Sequence, residues 1–484
     1  MQMAPMILTL PWGVALIVMP VVGALACYLF RRAAKPLGLM TVTVTALSAA
    51  GLALRTTRAD SYHHAVGGWG APLGIELYAD GLSVLMLVAT AIVACAISFY
   101  AARFFDDKEQ ARFWPLWLLL LTAMNALFLS RDLFNMYVAL ELTGLAAVAL
   151  TALTGSQDAL SGAIRYLLAT MLGSLAYLLG VVFIYHGYGT LDLAMLGQLV
   201  ESNPVTWLAL GLVSAGLALK TALFPLHFWL PPAHASATPP VSAALSALVV
   251  KTAFYVLLRF WLEIFPSEGA APAQLFGLLG CAAVFWGGVQ ALRARRLKLL
   301  IAYSTVMQIG YLFIAFPLGI LLAWHGALYL LLSHALAKAA MFLAAGNVLY
   351  YGGHDRIADL DHVAQRLPLT VAAFALAGVS IMGLPPSGGF VAKWLLIQAS
   401  LDTGQWWWTV PILAGSLVAA AYVFKVVGFA FTQAEAPQEA KLVPVSMQWT
   451  ALVLAVAAIA LGLIAPWTLT WLDVGDPFSG AVSR

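Results

Sequence analysis

The chain has 484 residues, of which 62% are hydrophobic and only 9% are charged. A soluble globular protein has about 45–50% apolar and about 25% charged residues, so the composition excludes a soluble enzyme, whose water-exposed surface needs more polar side chains. The formal net charge of +3 is too small to indicate nucleic-acid binding. The outer surface of this protein is therefore predicted to face lipid.

Fourteen apolar runs are long enough to cross a membrane as helices, which requires about 20 residues each. In chain order they are 7–30, 38–54, 79–102, 113–129, 133–154, 161–186, 204–230, 239–265, 272–292, 299–317, 319–350, 369–400, 406–431 and 449–472. The runs are continuously apolar, whereas the strands of a membrane barrel alternate between apolar and polar residues. The sequence therefore predicts an all-α polytopic membrane protein with about fourteen transmembrane helices.

Most basic residues lie in the loops that follow odd-numbered spans. Loops after even-numbered spans contain three, Arg55, Arg58 and Arg131. Loops after odd-numbered spans contain fourteen: Arg31, Arg32, Lys35, Arg103, Lys108, Arg112, Arg165, Arg293, Arg295, Arg296, Lys298, Arg356, Arg366 and Lys441. Because basic loops stay in the cytoplasm, the chain is predicted to lie in a bacterial inner membrane with both termini on the outer side.

Two spans are interrupted by helix-breaking residues. The seventh contains F-P at 224–225 shortly after Lys220, and the twelfth contains G-L-P-P-S-G-G at 383–389 before Lys393. Such breaks are tolerated at membrane depth only where the freed backbone groups meet protein, water or ions, and a pair of them indicates a transport repeat. The spacing of five spans predicts two five-helix repeats, spans 4–8 and 9–13, and the odd number inverts the second repeat in the membrane.

The predicted organisation therefore has four parts. Residues 1–112 form an N-terminal three-helix segment, and residues 432–484 contain a loop and the last helix. Residues 113–265 and 272–431 form the two repeats, each of which is expected to provide one half of an ion channel.

Six basic residues lie within predicted spans. Arg259 is near a span end, where its side chain is expected to extend to the membrane surface. The other five are Lys220, Lys251, Lys338, Lys393 and Lys425. A charged residue at the membrane centre costs about 2.5–3.5 kcal/mol, and a lipid-facing structural role would not offset that cost for Lys220, Lys251 and Lys338. These lysines are expected to be functional.

Glu141 is the one acidic residue deep within a predicted span, about 12 Å along the fifth helix. Its expected partner is Lys220, which belongs to the same repeat. Each charge stabilises the other while the pair is closed. When the pair opens, burial favours the neutral forms, so the pair can take up or release a proton.

Histidines supply further candidate proton carriers. His334 and Lys338 are four residues apart, so they share one face of the eleventh helix and form a candidate relay. His227 and His234 flank a Pro-Pro pair on the broken seventh span. Their spacing matches no common zinc site and no cysteine or acidic residue accompanies them, so a water-lined relay or structural hydrogen bonding is expected instead.

No other pattern indicates covalent chemistry or a cofactor. The sequence has no phosphate-binding glycine loop, no cysteine cluster for iron and sulfur, and no Ser/His/Asp set outside the predicted spans. We therefore expect an ion-translocating protein with no catalytic residues, no cofactor and no metal.

Several linked motifs resemble a known family, the proton-conducting antiporter-like subunits of respiratory complex I, membrane-bound hydrogenases and Mrp-type cation/proton antiporters. They are L-K-T-A at 219–222, F-P-L-H-F-W-L-P-P-A-H-A at 224–235, P-V-S-A at 240–243, I-A-Y-S-T at 301–305, H-A and K-A at 334–339, and G-L-P-P through Lys393. The resemblance covers essentially the whole chain. Within the family it is strongest to the D-type members from Mrp antiporters, because Lys393 replaces a glutamate and because G-W at 68–69 and P-L-G-I at 72–75 precede D-G-L-S at 80–83.

The resemblance implies a buried proton pathway. Its members in chain order are Glu141, Lys220, Lys251, His334, Lys338 and Lys393. Candidate additional relay residues are His227, His234, Gln308 and Lys425. Gln308 stands where many relatives have a histidine.

Three functions remain open. The favoured one is a proton-translocating subunit of a multisubunit antiporter that exchanges protons for a cation such as Na⁺. The second is the same role in a redox- or hydration-driven complex, such as a complex I-like enzyme or a membrane-bound hydrogenase. The third is an independent, proton-coupled solute carrier. The first two require partner subunits in the membrane, whereas the third does not.

Overall fold

The computed structural model of the chain describes residues 10–59, 61–71, 74–265, 270–360, 363–432, 441–475 and 478. These residues fold into a helical bundle with fourteen membrane-length elements. They are α1 (Trp12–Leu29), α2 (Ala34–Ala59), α3 (Gly81–Phe104), α4 (Asp107–Phe128), α5 (Leu133–Thr151), α6 (Gln157–Tyr188), α7 (Pro204–Thr221, then Leu230–Ser236), α8 (Pro239–Glu263), α9 (Ala270–Arg293), α10 (Leu297–Phe313), α11 (Leu321–Gly352), α12 (Pro368–Met382, then Gly388–Asp402), α13 (Thr409–Ala430) and α14 (Val445–Leu463). The predicted all-α class is confirmed.

Short elements connect these helices. They are the α-helices Leu193–Leu199, Ala315–Leu318, Val363–Arg366 and Ala465–Thr470, and the 3₁₀ turns Arg31–Ala33, Val66–Gly68, Ile357–Asp359 and Trp406–Trp408. An antiparallel hairpin, β1 (Tyr62–Ala65) and β2 (Glu76–Ala79), joins α2 to α3, with Tyr62 opposite Ala79. Pro72 and Leu73 of the predicted 72–75 motif lie outside the described residues.

Thirteen helices of the described chain are long and apolar enough to cross a membrane. The predicted span that is missing from that count is the twelfth, α12, because each of its halves has only 15 residues. Some predicted ends were wrong: the seventh span was expected to reach residue 230, but its first half ends at Thr221. Residues 7–9 of the first predicted span and both chain termini lie outside the described residues.

The two five-helix units, α4–α8 and α9–α13, share the same internal plan. In each unit the third helix has 32 residues and ends at a left-handed glycine, Gly189 or Gly353. In each unit, the loop before the second helix pairs with the loop after the third, through the bridges Asp132–Asp192 and Arg296–Arg356. These bridges follow spans 4 and 6 in one unit and spans 9 and 11 in the other, so they lie on opposite sides of the bundle. The units are inverted repeats.

Three helices form the centre of the bundle. All residues in the most apolar stretch of α8 are buried, as are 94% of those in α11 and 89% of those in α10, against 33–61% in the other candidate spans. The central helices carry Lys251, His334 and Lys338. Ionisable side chains within a membrane protein usually face the bundle interior. These three lie on the most buried helices of the described chain.

Glycine contacts hold neighbouring helices close together on both sides of this centre. A Cβ atom on Gly216 of α7 would overlap the carbonyl oxygen of Gly173 on α6, and one on Gly310 of α10 would overlap that of Gly280 on α9. Small residues allow this backbone approach between membrane helices. The two contacts occupy the two units, one in each.

The prediction for Arg259 was wrong, because its side chain does not extend to the membrane surface. It is 3% exposed and forms a bidentate ion pair with Asp80, with one N–O distance of 2.6 Å. The guanidinium also donates to Tyr255 at 3.1 Å and to Ser83 at 3.0 Å, and it reaches Glu263 at 3.5 Å. Asp80 caps the start of α3, so this pair joins α3 to α8.

We expect Arg259→Gln to lower the free energy of unfolding by about 3–5 kcal/mol, because Asp80 would keep a buried charge without its partner. Unfolding in mixed detergent micelles provides the measurement. Arg356→Gln is the matched control: its pair with Asp359 is 75% and 40% exposed, and such pairs contribute about 0–1 kcal/mol. Equal effects of the two substitutions would contradict the assignment, as would an Asp80→Asn/Arg259→Gln double variant that shows the full sum of the single losses.

Candidate functional site

An ion pair between α5 and α7 lies in the first unit. The Lys220 ammonium is 3.1 Å from Oε1 of Glu141 and donates to Thr170 at 2.9 Å. Ser174 on α6 donates a further hydrogen bond to the Glu141 carboxylate. The Lys220 side chain is 6% exposed and that of Glu141 is 24% exposed. The structure thus brings these two predicted residues into contact, at the point where the first half of α7 ends.

Lys251 lies on α8 immediately after a π-helical turn, Leu245–Val249. Its ammonium donates to the backbone carbonyl of Ser246 within that turn. Turns of this kind are frequent at functional sites because they disturb the regular hydrogen-bond ladder. The Ser246 hydroxyl is in turn 2.8 Å from the Thr305 hydroxyl, which links α8 to α10.

Lys338 on α11 also contacts α10. It donates to the Ser304 hydroxyl and, at 3.2 Å, to the carbonyl of Ile301. His334 lies one turn earlier and is buried, and its Nε2 atom has no hydrogen-bond partner. Both residues are close enough to Lys251 for their charges to interact.

Lys393 lies in the second half of α12, beyond the break. Its ammonium donates to the carbonyls of Ile381 and Met382, at 3.0 and 3.1 Å, and to the Ser416 hydroxyl at 2.9 Å. These carbonyls end the first half of α12, where the helix leaves them without a partner. Gln308 of α10 donates to the Ile381 carbonyl at 3.3 Å, so it shares an acceptor with Lys393.

Helix α10 therefore connects Lys251 and Lys338 with Lys393. Ser304 accepts a hydrogen bond from Lys338, and Thr305 contacts Ser246, whose carbonyl binds Lys251. Gln308 follows one turn later and shares an acceptor with Lys393. Hydroxyl and amide groups three or four residues apart lie on one helix face, where they can belong to one hydrogen-bond network.

Sequence reasoning missed Lys298, which it assigned to a cytoplasmic loop. The structure places Lys298 in the first turn of α10, 3% exposed. Its ammonium donates to the carbonyl of Ala235 at 3.2 Å and to that of Ala237, at the end of the second half of α7. One signal was available: a cation is unfavourable in the first turn of a helix because of the helix dipole, so a lysine there suggests a specific partner.

His234 lies in the second half of α7. It is completely buried, and its ring stacks on Phe342 with 5.1 Å between ring centroids. The ring is close enough to Lys298, Lys338 and Lys251 for electrostatic interaction with each of them.

A cavity of about 720 Å³ opens to the surface, and Lys298 is among its lining residues. Its charged lining residues are Glu109, Asp158, Arg165, Arg296 and Lys298. The cavity belongs to the side of the bundle on which most basic residues lie. Lys298 thus lines the cavity, although the residue is only 3% exposed.

The remaining two candidates lie apart from this line. Lys425 of α13 is half-buried and donates to the carbonyls of Leu292 and Ala294, at 2.8 and 2.9 Å, so it caps the end of α9. His227 lies in the break of α7, where its ring stacks on Phe224. The described contacts of Lys425 and His227 do not include any pathway residue.

Comparisons with known proteins agree with this arrangement. The chain is 35% identical, over 93% of its own length and 95% of the relative, to the N-type subunit of the NADH-quinone oxidoreductase of Desulforudis audaxviator. It is 27% identical, over 94% of the chain and 95% of the relative, to the D-type subunit of the Na(+)/H(+) antiporter of Bacillus subtilis. A chain in the Mrp complex of Dietzia sp. has the same fold, with a TM-score of 0.88, 24% identity and coverage of 97% of this chain and 98% of that one.

A family model also matches the chain. It describes the transmembrane part of NADH:quinone oxidoreductase and Mrp antiporter subunits and matches residues 130–419. That region contains both broken helices and every residue of the predicted pathway. The chain therefore belongs to the NADH:quinone oxidoreductase/Mrp antiporter transmembrane family.

Proposed function

We propose that this chain conducts protons across a bacterial inner membrane as a subunit of a multisubunit cation/proton antiporter. The observation that carries the proposal is the Glu141–Lys220 pair at 3.1 Å, followed by lysines on helices that lipid does not reach. A subunit of an Na(+)/H(+) antiporter is among the relatives, at 27% identity. The distribution of basic loops supports an orientation with both termini on the outer side. The chain acts as part of a transporter rather than as an enzyme, and Na⁺ is the proposed counter-ion.

Proton movement in this proposal depends on opening and closing of the Glu141–Lys220 pair. While the pair is closed, the carboxylate stabilises the ammonium. Opening it leaves two buried charges without partners, which favours transfer of a proton away from Lys220 toward the centre. The two five-helix units then act as two halves of one channel, divided as the sequence predicts at 113–265 and 272–431.

The central bases pass the proton because they cannot all be charged at once. Lys251 and Lys338 lie within electrostatic reach of each other, and each of them lies within reach of His334 and of His234. None of their described hydrogen bonds involves a carboxylate. Like charges in a buried site repel strongly. A proton that arrives at one of these bases therefore promotes release from another, by way of α10 toward Gln308 and Lys393.

Protons are proposed to reach the centre through the cavity that Lys298 lines. Lys298 would take a proton from cavity water and transfer it to His234, because an imidazole can both accept and donate a proton. This step assigns a role to His234 and adds Lys298 to the pathway.

The second candidate function is the same proton movement within a redox-driven complex. It is favoured by the relative at 35% identity, which is a subunit of an NADH-quinone oxidoreductase. The two candidates differ in the proteins that surround this chain rather than in its own residues.

We expect Glu141→Gln and Lys220→Met each to reduce proton-coupled Na⁺ efflux at least about tenfold, because each leaves one buried charge unpaired. Efflux is measured in vesicles that contain the intact complex, with a pH-sensitive dye. Lys425→Met is the matched control, since it removes a lysine that caps α9, and it should retain most of the activity. Undiminished efflux in Lys220→Met would contradict the pathway.

Lys298→Gln and His234→Gln are each expected to slow proton uptake from the cavity side about tenfold or more, because each interrupts a relay. Uptake is compared in inverted and right-side-out vesicles. Arg165→Gln is the control, because it removes a charge from the same cavity without touching the relay. If it slowed uptake as much as Lys298→Gln, the cavity charge rather than Lys298 would explain the effect.

Mass-spectrometric identification of the native complex separates the two candidate functions. We expect the chain to be purified together with small membrane subunits, and Na⁺ to stimulate proton flux in the purified complex. Co-purification with iron–sulfur or nickel proteins would instead establish the redox-driven alternative. Full transport by the isolated chain would exclude both and indicate an independent carrier.

A further inference from the structure

A second large cavity lies where α1, α2 and α4 meet, on the side of the bundle with most basic residues. It has a volume of about 900 Å³, and we call it the α1–α4 cavity. Five of its lining residues are basic and one is acidic: Arg31, Arg32, Lys35, Lys108, Arg112 and Asp107. The proton pathway does not use any of them. The lining therefore carries a net charge of about +4 within one concave surface.

The cations of the α1–α4 cavity have no acidic partners within the described chain. None of the five forms one of the ion pairs found among the described residues, and Arg31 contacts the ring of Tyr28 instead, 5.4 Å from its centroid. Concentrated positive charge without a counter-charge attracts an anion from outside the chain.

Another basic cavity, which we call the α9–α13 cavity, lies on the same side and provides a contrast. It has a volume of about 550 Å³, and three of its four basic residues have partners within the described chain. Arg296 pairs with Asp355 at 2.8 Å, Arg356 pairs with Asp359 at 3.8 Å, and Lys425 caps α9. Basic residues that only orient the chain in the membrane can therefore have partners within the chain. Those of the α1–α4 cavity do not have acidic partners among the described residues.

Apolar side chains continue from the cavity toward the middle of the membrane. Pro115 and Leu116 line the cavity itself. About one turn further into the membrane on α1 and α4, Leu25 is 58% exposed and Leu119 is 44% exposed. The surface is thus basic at the membrane boundary and apolar just below it, which matches an amphiphile rather than a soluble anion.

We propose that the α1–α4 cavity binds the phosphodiester headgroup of an anionic phospholipid, with the acyl chains against α1 and α4. Arginine forms paired hydrogen bonds with phosphate oxygens, and basic pockets between membrane helices on the cytoplasmic side suit anionic headgroups. A lipid bound there would connect the N-terminal segment, through Arg31 and Arg32, to the first helix of the first five-helix unit, through Lys108 and Arg112.

Lipid retention by the purified complex tests this proposal. The variant Arg32→Gln/Lys108→Gln/Arg112→Gln removes three charges from the α1–α4 cavity, and Arg295→Gln/Arg356→Gln is the control in the α9–α13 cavity. After detergent washing, native mass spectrometry counts bound cardiolipin and phosphatidylglycerol. We expect the cavity variant to retain at least about tenfold less anionic lipid than the parent chain, and the control to retain the parental amount.

Thermal unfolding of the delipidated complex provides the second measurement. Added cardiolipin should raise the unfolding midpoint of the parent and of the control more than phosphatidylcholine does, and should give no such gain in the cavity variant. The variant Arg32→Lys/Arg112→Lys keeps the charges that orient the helices, and its lipid retention should fall between those of the parent and the cavity variant. Equal retention in cavity variant and control would overturn the proposal. So would equal stabilisation by inorganic phosphate alone, or loss of a partner protein from the variant with lipid retention unchanged.

Discussion

A backbone carbonyl that loses its helical partner inside a membrane protein needs another donor, and a buried ammonium group needs acceptors. In this chain, buried lysines bind such carbonyls, so each group supplies the partner that the other needs. Lys393 binds the carbonyls that end the first half of α12, and Lys425 binds those that end α9. Lys251 binds a carbonyl of the π-helical turn, and Lys298 binds those at the end of α7. These lysines therefore lie where helices end or are interrupted, because each ammonium group binds carbonyls that lack a regular helical partner.

Lys220 differs because its main partner is a charged group, Glu141. A lysine that binds a neutral carbonyl can lose its proton without leaving an unpaired anion. Loss of the proton from Lys220, in contrast, leaves the Glu141 carboxylate without its counter-charge. In the proposed pathway, the first unit thus contains an ion pair whose opening leaves unpaired buried charges, and the centre contains bases whose charges repel one another.

Much of this arrangement could be predicted from the sequence because the membrane restricts it. Scarce charges within long apolar runs identified Glu141 and Lys220, and breaks at corresponding positions indicated two inverted units. The partners of Arg259 could not be predicted, since Asp80 is 179 residues away in the chain. Lys298 was missed because loop counting assigns every basic residue near a span end to the water phase. Only the packing of α7 against α10 shows that its ammonium turns inward.

The glycine contact Gly173–Gly216 joins α6 to α7 in the first unit, and Gly280–Gly310 joins α9 to α10 in the second. Backbones that touch at these points leave no room for the helices to slide past each other or to rotate, because even one added carbon would collide. A carrier that works by rocking its halves needs such freedom. In this chain the two contacts fix how closely these helix pairs pack, so we expect proton movement to depend on smaller changes, such as side-chain rotation.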